Sequence, residues 1–483
     1  MTGLFSVGQR SLTFSTMTVI GAAAYNNLSV SAALPAIGDD LGNLEFLPWV
    51  ITIELITSAI AVLAVGPVID SLGTRVVFRA SLVAFVVACI ACAAAPTMLM
   101  LVIARALQGL TTGAIIANVM AAIGLGVPDA LRARSYAANS SVWGVMGLAG
   151  PAVAAGVLTV TSWQGIFLVN IPVAALAAVV GWNRFPGPAD LDRPKSISDR
   201  RGIAIATAFT LVSLTALSSL TWWIVPGVLA AAALVGVYIA HERRTDEPVL
   251  RLHHLTDPRF RLLHAVAFLI ITSGITSNAF LPVYVKAARG ASTTEAAFSV
   301  VFLTIGWTTG AFITSRISEI WSGERAVLVG TTALAVSATI AATAISTNAT
   351  LYILFAAFIG IGMGLGGVSS AGLGVLQSQA RPTEMGRVNS AHQFMRTLGF
   401  TYGAALGGVL LFGVVELRLG DADVVRDLLG DEEVVVAPST VDAISAGFTW
   451  SAVAAAVISY AALATAVRLQ RSTAPLADLS TAR

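Results

Sequence analysis

Apolar runs long enough to cross a membrane recur along the whole of this chain. A transmembrane helix needs about 20 consecutive apolar residues to span the hydrocarbon core. Runs of that kind lie near 12–36, 48–69, 77–95, 98–124, 137–160, 164–183 and 203–221. They continue near 222–240, 261–285, 294–316, 325–345, 349–378, 394–416 and 444–467, fourteen in all. The expected architecture is an all-α integral membrane protein with 14 transmembrane helices in a lipid bilayer. Composition adds an exclusion. Only 11% of the 483 residues are charged, against about 25% in soluble domains, which rules out a soluble enzyme, a disordered chain and a nucleic-acid binder. A net charge of +2 gives no global basic field for a nucleic acid to follow.

Loop charges predict the orientation. With the N-terminus inside, the external segments hold only Lys286, Arg289, Arg418 and Arg426, and Arg105 lies within a span. The other basic residues, Arg396 among them, fall in cytoplasmic segments, as the positive-inside rule demands. An even number of spans then leaves both termini cytoplasmic. Arg10 precedes a long first run followed by thirteen more, so that run reads as an uncleaved anchor. Lys195 and Lys286 are the only lysines, a bias associated with high-GC bacteria, and the expected location is a bacterial inner membrane.

Three connections stand apart. Residues 184–202 are polar, basic and Pro-containing, which suits a cytoplasmic linker. Residues 241–260 mix charges with Leu250, Leu252 and Leu255, as a short interfacial helix does. Residues 416–443 form an external loop with eight acidic residues and two arginines, read as a solvated acidic loop. The expected division is 1–183 as an N-terminal six-helix bundle, 184–260 as linker with two extra helices and the interfacial segment, and 261–483 as a C-terminal six-helix bundle. Trp222 and Trp223 alone separate the seventh and eighth runs.

The chemistry-bearing residues are few. Gly66-Pro-Val-Ile-Asp70-Ser-Leu-Gly73-Thr-Arg75 follows the second run, and Asp70 there can meet a helix N-terminus. Arg105-Ala-Leu-Gln108-Gly109 places an arginine inside the fourth run, where it costs at least about 2.5 kcal/mol and needs a partner or a task. Gly144, Gly147, Gly150 and Pro151 recur in the fifth run; small residues there allow close helix approach, and Pro151 bends the helix.

In order and spacing these motifs resemble those of the major facilitator superfamily, and specifically its fourteen-helix drug:proton antiporter branch. Tyr25-Asn-Asn-Leu-Ser-Val-Ser-Ala-Ala-Leu-Pro35 is similar to the branch's first-helix motif, and Trp163-Gln-Gly-Ile-Phe-Leu-Val-Asn-Ile-Pro172 to its sixth-helix start. Pro382, Gly386, Arg387, Asn389, Arg396 and Gly399 resemble the run entering its thirteenth helix. The resemblance implies two six-helix halves related by a repeat, with a degenerate second gate motif at 315–325 in which Glu319 takes the position of Asp70. It implies a cytoplasmic gate of Gly66, Asp70, Gly73, Arg75 and Glu319, and an antiporter helix carrying Gly147, Gly150 and Pro151. It also implies small-molecule export in exchange for protons, by a monomer without cofactor. Three departures are specific to this chain: Asn26 stands where the family has an aspartate, Glu54 where it has a tyrosine, and Ala154-Ala155 where it has Gly-Gly.

Glu54 is the only acid well inside a run. At 1.5 Å rise per residue, Glu54, Arg105 and Asn26 lie roughly 9, 10 and 15 Å below the outer ends of their spans. A static ion pair and a proton carrier both fit. The carrier reading is preferred, because intramembrane ionisable groups are functional by default and this acid arises where the family's usual acid is missing. The expected substrate cavity draws on Asn26, Asn27, Gln108, Trp143, Asn278, Phe280, Trp307, Phe358, Gln377 and Tyr402. The GxGxxG at Gly362, Gly364 and Gly367 follows no strand and reads as helix packing. There is no Walker motif, no metal-ligand spacing among the five histidines, and no nucleophile–base pair, so no enzyme and no metal are expected. Rival readings are a metabolite or lipid transporter without proton coupling, which Asn26 favours, and a membrane sensor with a transporter fold.

Overall fold

The computed structural model describes residues 3–6, 8–43, 46–187, 199–218, 224–246, 248–258, 260–317, 320–420 and 437–477. Glu319, Trp222, Trp223 and most of the acidic loop lie outside them. Among the described residues the chain is helical, with no strand. The first helices are α1 (Arg10–Leu41), α2 (Leu47–Ala93), α3 (Met98–Gly126) and α4 (Asp129–Val160), then α5 (Gln164–Leu168) and α6 (Asn170–Gly181). There follow α7 (Arg200–Ser218), α8 (Ile224–Glu242), α9 (Leu252–Thr256), α10 (Arg261–Asn278) and α11 (Leu281–Val283), which runs into a π-helical turn, Tyr284–Ala288. The last are α12 (Thr293–Ser299), α13 (Val301–Ile317), α14 (Gly323–Ser346), α15 (Leu351–Gln379), α16 (Met385–Leu419) and α17 (Pro438–Ala477).

Local chemistry sets the ends. The Thr97 hydroxyl accepts the Met100 amide at the start of α3, and Ser322 accepts that of Arg325 at the start of α14. Ser292 and Glu295 form a capping box on α12. Each satisfies a first-turn amide that has no intrahelical partner. The 47 residues of α2 would extend about 70 Å as one rod, over twice the hydrocarbon thickness. The rod is broken at Gly73, with φ 79° and ψ 159°, a conformation open to glycine and strained for other residues. Two expected spans thus meet in one element with a one-residue joint.

Nine described helices are long and apolar enough to cross a membrane, or ten if the bent pair Asp129–Gly147 and Ala152–Val160 is one span. Those two segments meet at 48°. α16 begins at Met385, before the continuous apolar run, so Arg396 lies about 17 Å along a helix at 1.5 Å per residue.

The chain forms two compact units. The first comprises 1–207, 238–256 and 376–394; the second comprises 208–237, 257–375 and 395–483. In the first unit the Asp199 carboxylate accepts the Gly202 amide at 2.8 Å and the Val249 amide at 3.2 Å, and meets His241 Nε2 at 2.8 Å. Burial works to raise this carboxyl, but the Gly202 amide, His241 and the Val249 amide together hold it below the ordinary carboxylate value. His254 on α9 lies 3.8 Å from Glu384. Burial pushes its imidazole down to about 4, although Glu384 raises it. In the second unit Tyr284 stacks on Phe448 at 4.5 Å and Phe302 on Phe355 at 4.4 Å.

Candidate functional site

The interior of the first unit holds a polar network built on Arg105, which is 1% exposed. It sits on α3 facing α1 and α2. Its Nε donates to the Val50 carbonyl at 2.8 Å, and its Nη1 to Gln108 Oε1 at 2.6 Å and Asn26 Oδ1 at 3.2 Å. Its Nη2 lies 3.9 Å from Glu54 Oε2, and that carboxylate is also 1% exposed. Neither Glu54 oxygen accepts a hydrogen bond of ordinary geometry. The Thr112 hydroxyl stands beside the carboxylate but donates to the Gln108 carbonyl at 2.9 Å. The charge of Glu54 is therefore offset by one guanidinium across a long contact. Charge and geometry suit a carboxylate that can take up a proton without dismantling a tight bidentate pair.

Sequence reasoning placed Glu54, Arg105 and Asn26 at overlapping depths and named Gln108 among the cavity residues; the structure gathers all four around Arg105. It missed the next layer. Gln108 Nε2 donates to Cys89 Sγ at 3.2 Å, and Cys92 Sγ approaches Gln108 Oε1 at 3.5 Å. Both thiols are buried and free. Their i, i+3 spacing on a helix face was the available signal.

Close helix approach makes the network possible. A Cβ on Gly109 would collide with the Glu54 carbonyl, and one on Gly113 with the Ser58 carbonyl. Two glycines on α3 therefore let it lie directly on α2.

A second assembly in the same unit surrounds the proposed gate. Asp70 Oδ1 accepts the Gly386 amide at 2.6 Å and Oδ2 the Arg387 amide at 3.1 Å, with Arg387 Nη1 at 3.7 Å. These are first-turn amides of α16, where the unpaired N–H groups and the helix dipole favour an anion. A Cβ on Gly66 would meet the Ser390 side chain at 2.7 Å. Arg75 Nε donates to the Phe185 carbonyl at 2.9 Å, and the Arg75 amide to the Pro186 carbonyl at 3.0 Å. Glu319 is outside the described residues. The sequence reading also missed the bonds around Gln377. Its Oε1 accepts the Tyr136 hydroxyl, and its Nε2 donates to Asn389 Oδ1 at 2.7 Å and the Met120 carbonyl at 3.1 Å.

The remaining candidates are spread out. Asn27 Nδ2 donates to the Ala23 carbonyl on its own helix at 3.0 Å. Trp143 is 36% exposed. Gly147, Gly150 and Pro151 lie on α4, which bends around them. In the second unit the Asn278 Oδ1 is buried without a hydrogen bond. Phe280 meets Phe412 edge-on at 5.7 Å, Trp307 stacks on Phe400 at 6.3 Å, and Tyr402 meets Phe268 edge-on at 6.1 Å. Phe358 is fully buried. Phe358 and Gln377 are thus taken up by packing and by structural hydrogen bonds.

Comparison with known proteins agrees with this architecture. The family model described as Major Facilitator Superfamily matches residues 14–404. The multidrug transporter protein MdtP of Bacillus subtilis is 26% identical over 80% of this chain and 73% of its own length. An uncharacterized MFS-type transporter of Mycobacterium tuberculosis, Rv1877, is 28% identical over 87% of this chain, which spans 62% of that protein's length. A crystal structure of a bacterial homologue of the iron transporter ferroportin, in an outward-facing state, superposes with a TM-score of 0.66 at 12% identity. It covers 95% of this chain and 98% of that one, and shows the shared fold. The chain is a multi-pass membrane transporter, not an enzyme, and it belongs to the Major Facilitator Superfamily.

Proposed function

We propose that this transporter exports lipophilic small molecules by alternating access, in exchange for protons carried by Glu54. The observation that carries the reading is the Glu54–Arg105 pair, 1% exposed on both sides and 3.9 Å apart, with no hydrogen bond to the carboxylate. A carboxylate so buried and so lightly held changes protonation when its distance to Arg105 changes. The multidrug transporters among its relatives support the substrate class. Trp143, Asn278, Phe280, Trp307 and Tyr402 remain the proposed substrate-facing residues. Asp70, with Gly66, Gly73 and Arg75, is the proposed cytoplasmic gate, and the bent α4 the proposed antiporter helix. Fourteen spans, two six-helix bundles flanking an insert at 184–260, cytoplasmic termini and a monomer complete the proposal. Each of the apolar runs overlaps at least one helix among the described residues, which supports the count.

Glu54→Gln is expected to abolish uncoupler-sensitive efflux of ethidium from cells while membrane levels stay those of wild type. Efflux at the wild-type rate in that variant would refute the coupling role. A second reading, export of a metabolite without proton coupling, is favoured by Asn26, an amide bonded to Arg105. It gains support from relatives named as an actinorhodin transporter and an acurin A cluster transporter. Ethidium accumulation unchanged by either protein would move it to first place.

A further inference from the structure

We propose that Gln377 is a second lock of the cytoplasmic gate. It fastens the hairpin of α15 and α16 to α3 and α4, and the hairpin leaves them once in each transport cycle. This rests on the reading of Asp70 as the gate. Residues 376–394, the end of α15 and the start of α16, group with the first unit, although the rest of both helices belongs to the second. Asp70 grips this hairpin at the first turn of α16. Gln377 grips it from the last turn of α15.

The Gln377 side chain is 1% exposed, and its bonds reach three other helices. Its Oε1 accepts from the Tyr136 hydroxyl on α4. Its Nε2 donates to the Met120 carbonyl on α3 at 3.1 Å and to Asn389 Oδ1 on α16 at 2.7 Å. Asn389 is held in the matching orientation by its own helix, since its Nδ2 donates to the Met385 carbonyl at 2.8 Å. Tyr136 and Asn389 are buried too. Gly124 on α3 provides the room: a Cβ there would stand 2.9 Å from the Gln377 carboxamide carbon. Asn389 lies three residues beyond Gly386, so the two locks hold neighbouring turns of one face of α16.

The chemistry of this contact suits a surface that opens. An amide nitrogen has two hydrogens and Nε2 has two acceptors, so the donor side of the carboxamide is fully used. Such a network specifies one closed geometry. Its members are a phenol, two carboxamides and a backbone carbonyl, all neutral. When water reaches them, each exchanges a protein partner for a water partner at small net cost. An apolar seam in the same place would open against the hydrophobic effect. Asp70 alone holds only the α16 side of the hairpin; Gln377 adds the α15 side and, through Asn389, joins the two.

The test uses the full chain in lipid nanodiscs, spin-labelled at Ala130→Cys on α4 and Ser378→Cys on α15. Both positions are exposed, whereas the native Cys89 and Cys92 are buried. Continuous-wave broadening and double electron–electron resonance together read the short, closed distance and the long, open one. Gln377→Met, which keeps the length of the side chain, is expected to raise the open-to-closed ratio at least about threefold, since it removes up to three hydrogen bonds. Tyr136→Phe, which removes one hydroxyl, is expected to move the ratio the same way by less, and it carries the test if Gln377→Met does not reach the membrane. Asp70→Asn serves as the reference for opening of the gate. A lower melting temperature in Gln377→Met with unchanged distances would make the contact structural only and overturn the lock. Opening in Asp70→Asn but in neither Gln377→Met nor Tyr136→Phe would also overturn it, and would leave the gate standing. If none of the three variants moves the distances, the gate reading fails and takes the lock with it.

Discussion

The two units repeat one packing device with opposite chemistry inside it. In the first, Gly109 and Gly113 rest on the carbonyls of Glu54 and Ser58; in the second, Gly362 and Gly366 rest on those of Leu303 and Trp307. Both glycine pairs sit four residues apart, over carbonyls four residues apart. Four residues before the first glycine stands Arg105 in one unit and Phe358 in the other. The ion pair Glu54–Arg105 therefore has Leu303 and Phe358 as its counterparts. The backbone contact does not need the charges, because the second unit makes it without them. What the first unit adds at this contact is a buried ion pair, where the second has the apolar Leu303 and Phe358.

Arg105→Met should have the largest effect, leaving Glu54 buried without its cation at a cost of about 3–5 kcal/mol. Adding Glu54→Leu, which copies the second unit, should restore most of the thermal stability in detergent while transport stays lost. A single variant as stable as wild type would break the comparison. Next, Phe358→Arg should destabilise the second unit by at least about 2.5 kcal/mol, the cost of an arginine in a span without a partner. Unchanged unfolding would mean that this unit already holds a counter-charge there. Smaller still, Gly113→Ala and Gly366→Ala should each cost about 1–3 kcal/mol through overpacking, and by similar amounts. A clearly unequal pair would show that the two contacts are not equivalent.

The smallest effect separates the rim of the first unit from its core. The His254 imidazole titrates near 4 in the folded chain and near 6.5 when unfolded. Between those values the unfolded chain binds more protons, so stability falls as pH drops from about 6.5 towards 4 and is unaffected above that window. The melting temperature should therefore drop less between pH 7 and pH 5 in His254→Gln than in wild type. An identical drop would remove His254 from the acid response.

The membrane helices were legible because lipid imposes length and apolarity on each. The polar network was legible for the same reason, since an acid, an arginine and an amide stand out in apolar runs. Helix ends were less so. The start of α16 at Met385 lies nine residues before the apolar run near 394–416, because its first turns are polar. The break at Gly73 within α2 was legible only as a gap between runs, because a positive φ leaves no mark beyond the glycine. Phe358 and Gln377 show the limit for side chains. An aromatic or an amide on a span reads equally as cavity lining or as packing, and only its neighbours decide between them.

The contact of Asp70 with α16 has a genetic consequence. Its two hydrogen bonds end on backbone amides of Gly386 and Arg387, groups that every residue except proline provides. Substitution at 387 can remove the Arg387 ion pair but not the amide donor unless proline is introduced. At 386 a Cβ would meet the Gly66 carbonyl at 2.5 Å and Asp70 Oδ1 at 2.6 Å, so selection sees Asp70 and the glycine but reads Arg387 only through its charge. A search for second-site suppressors of Asp70 variants that shorten the side chain should find hits at Gly386, where room has opened, and few at Arg387.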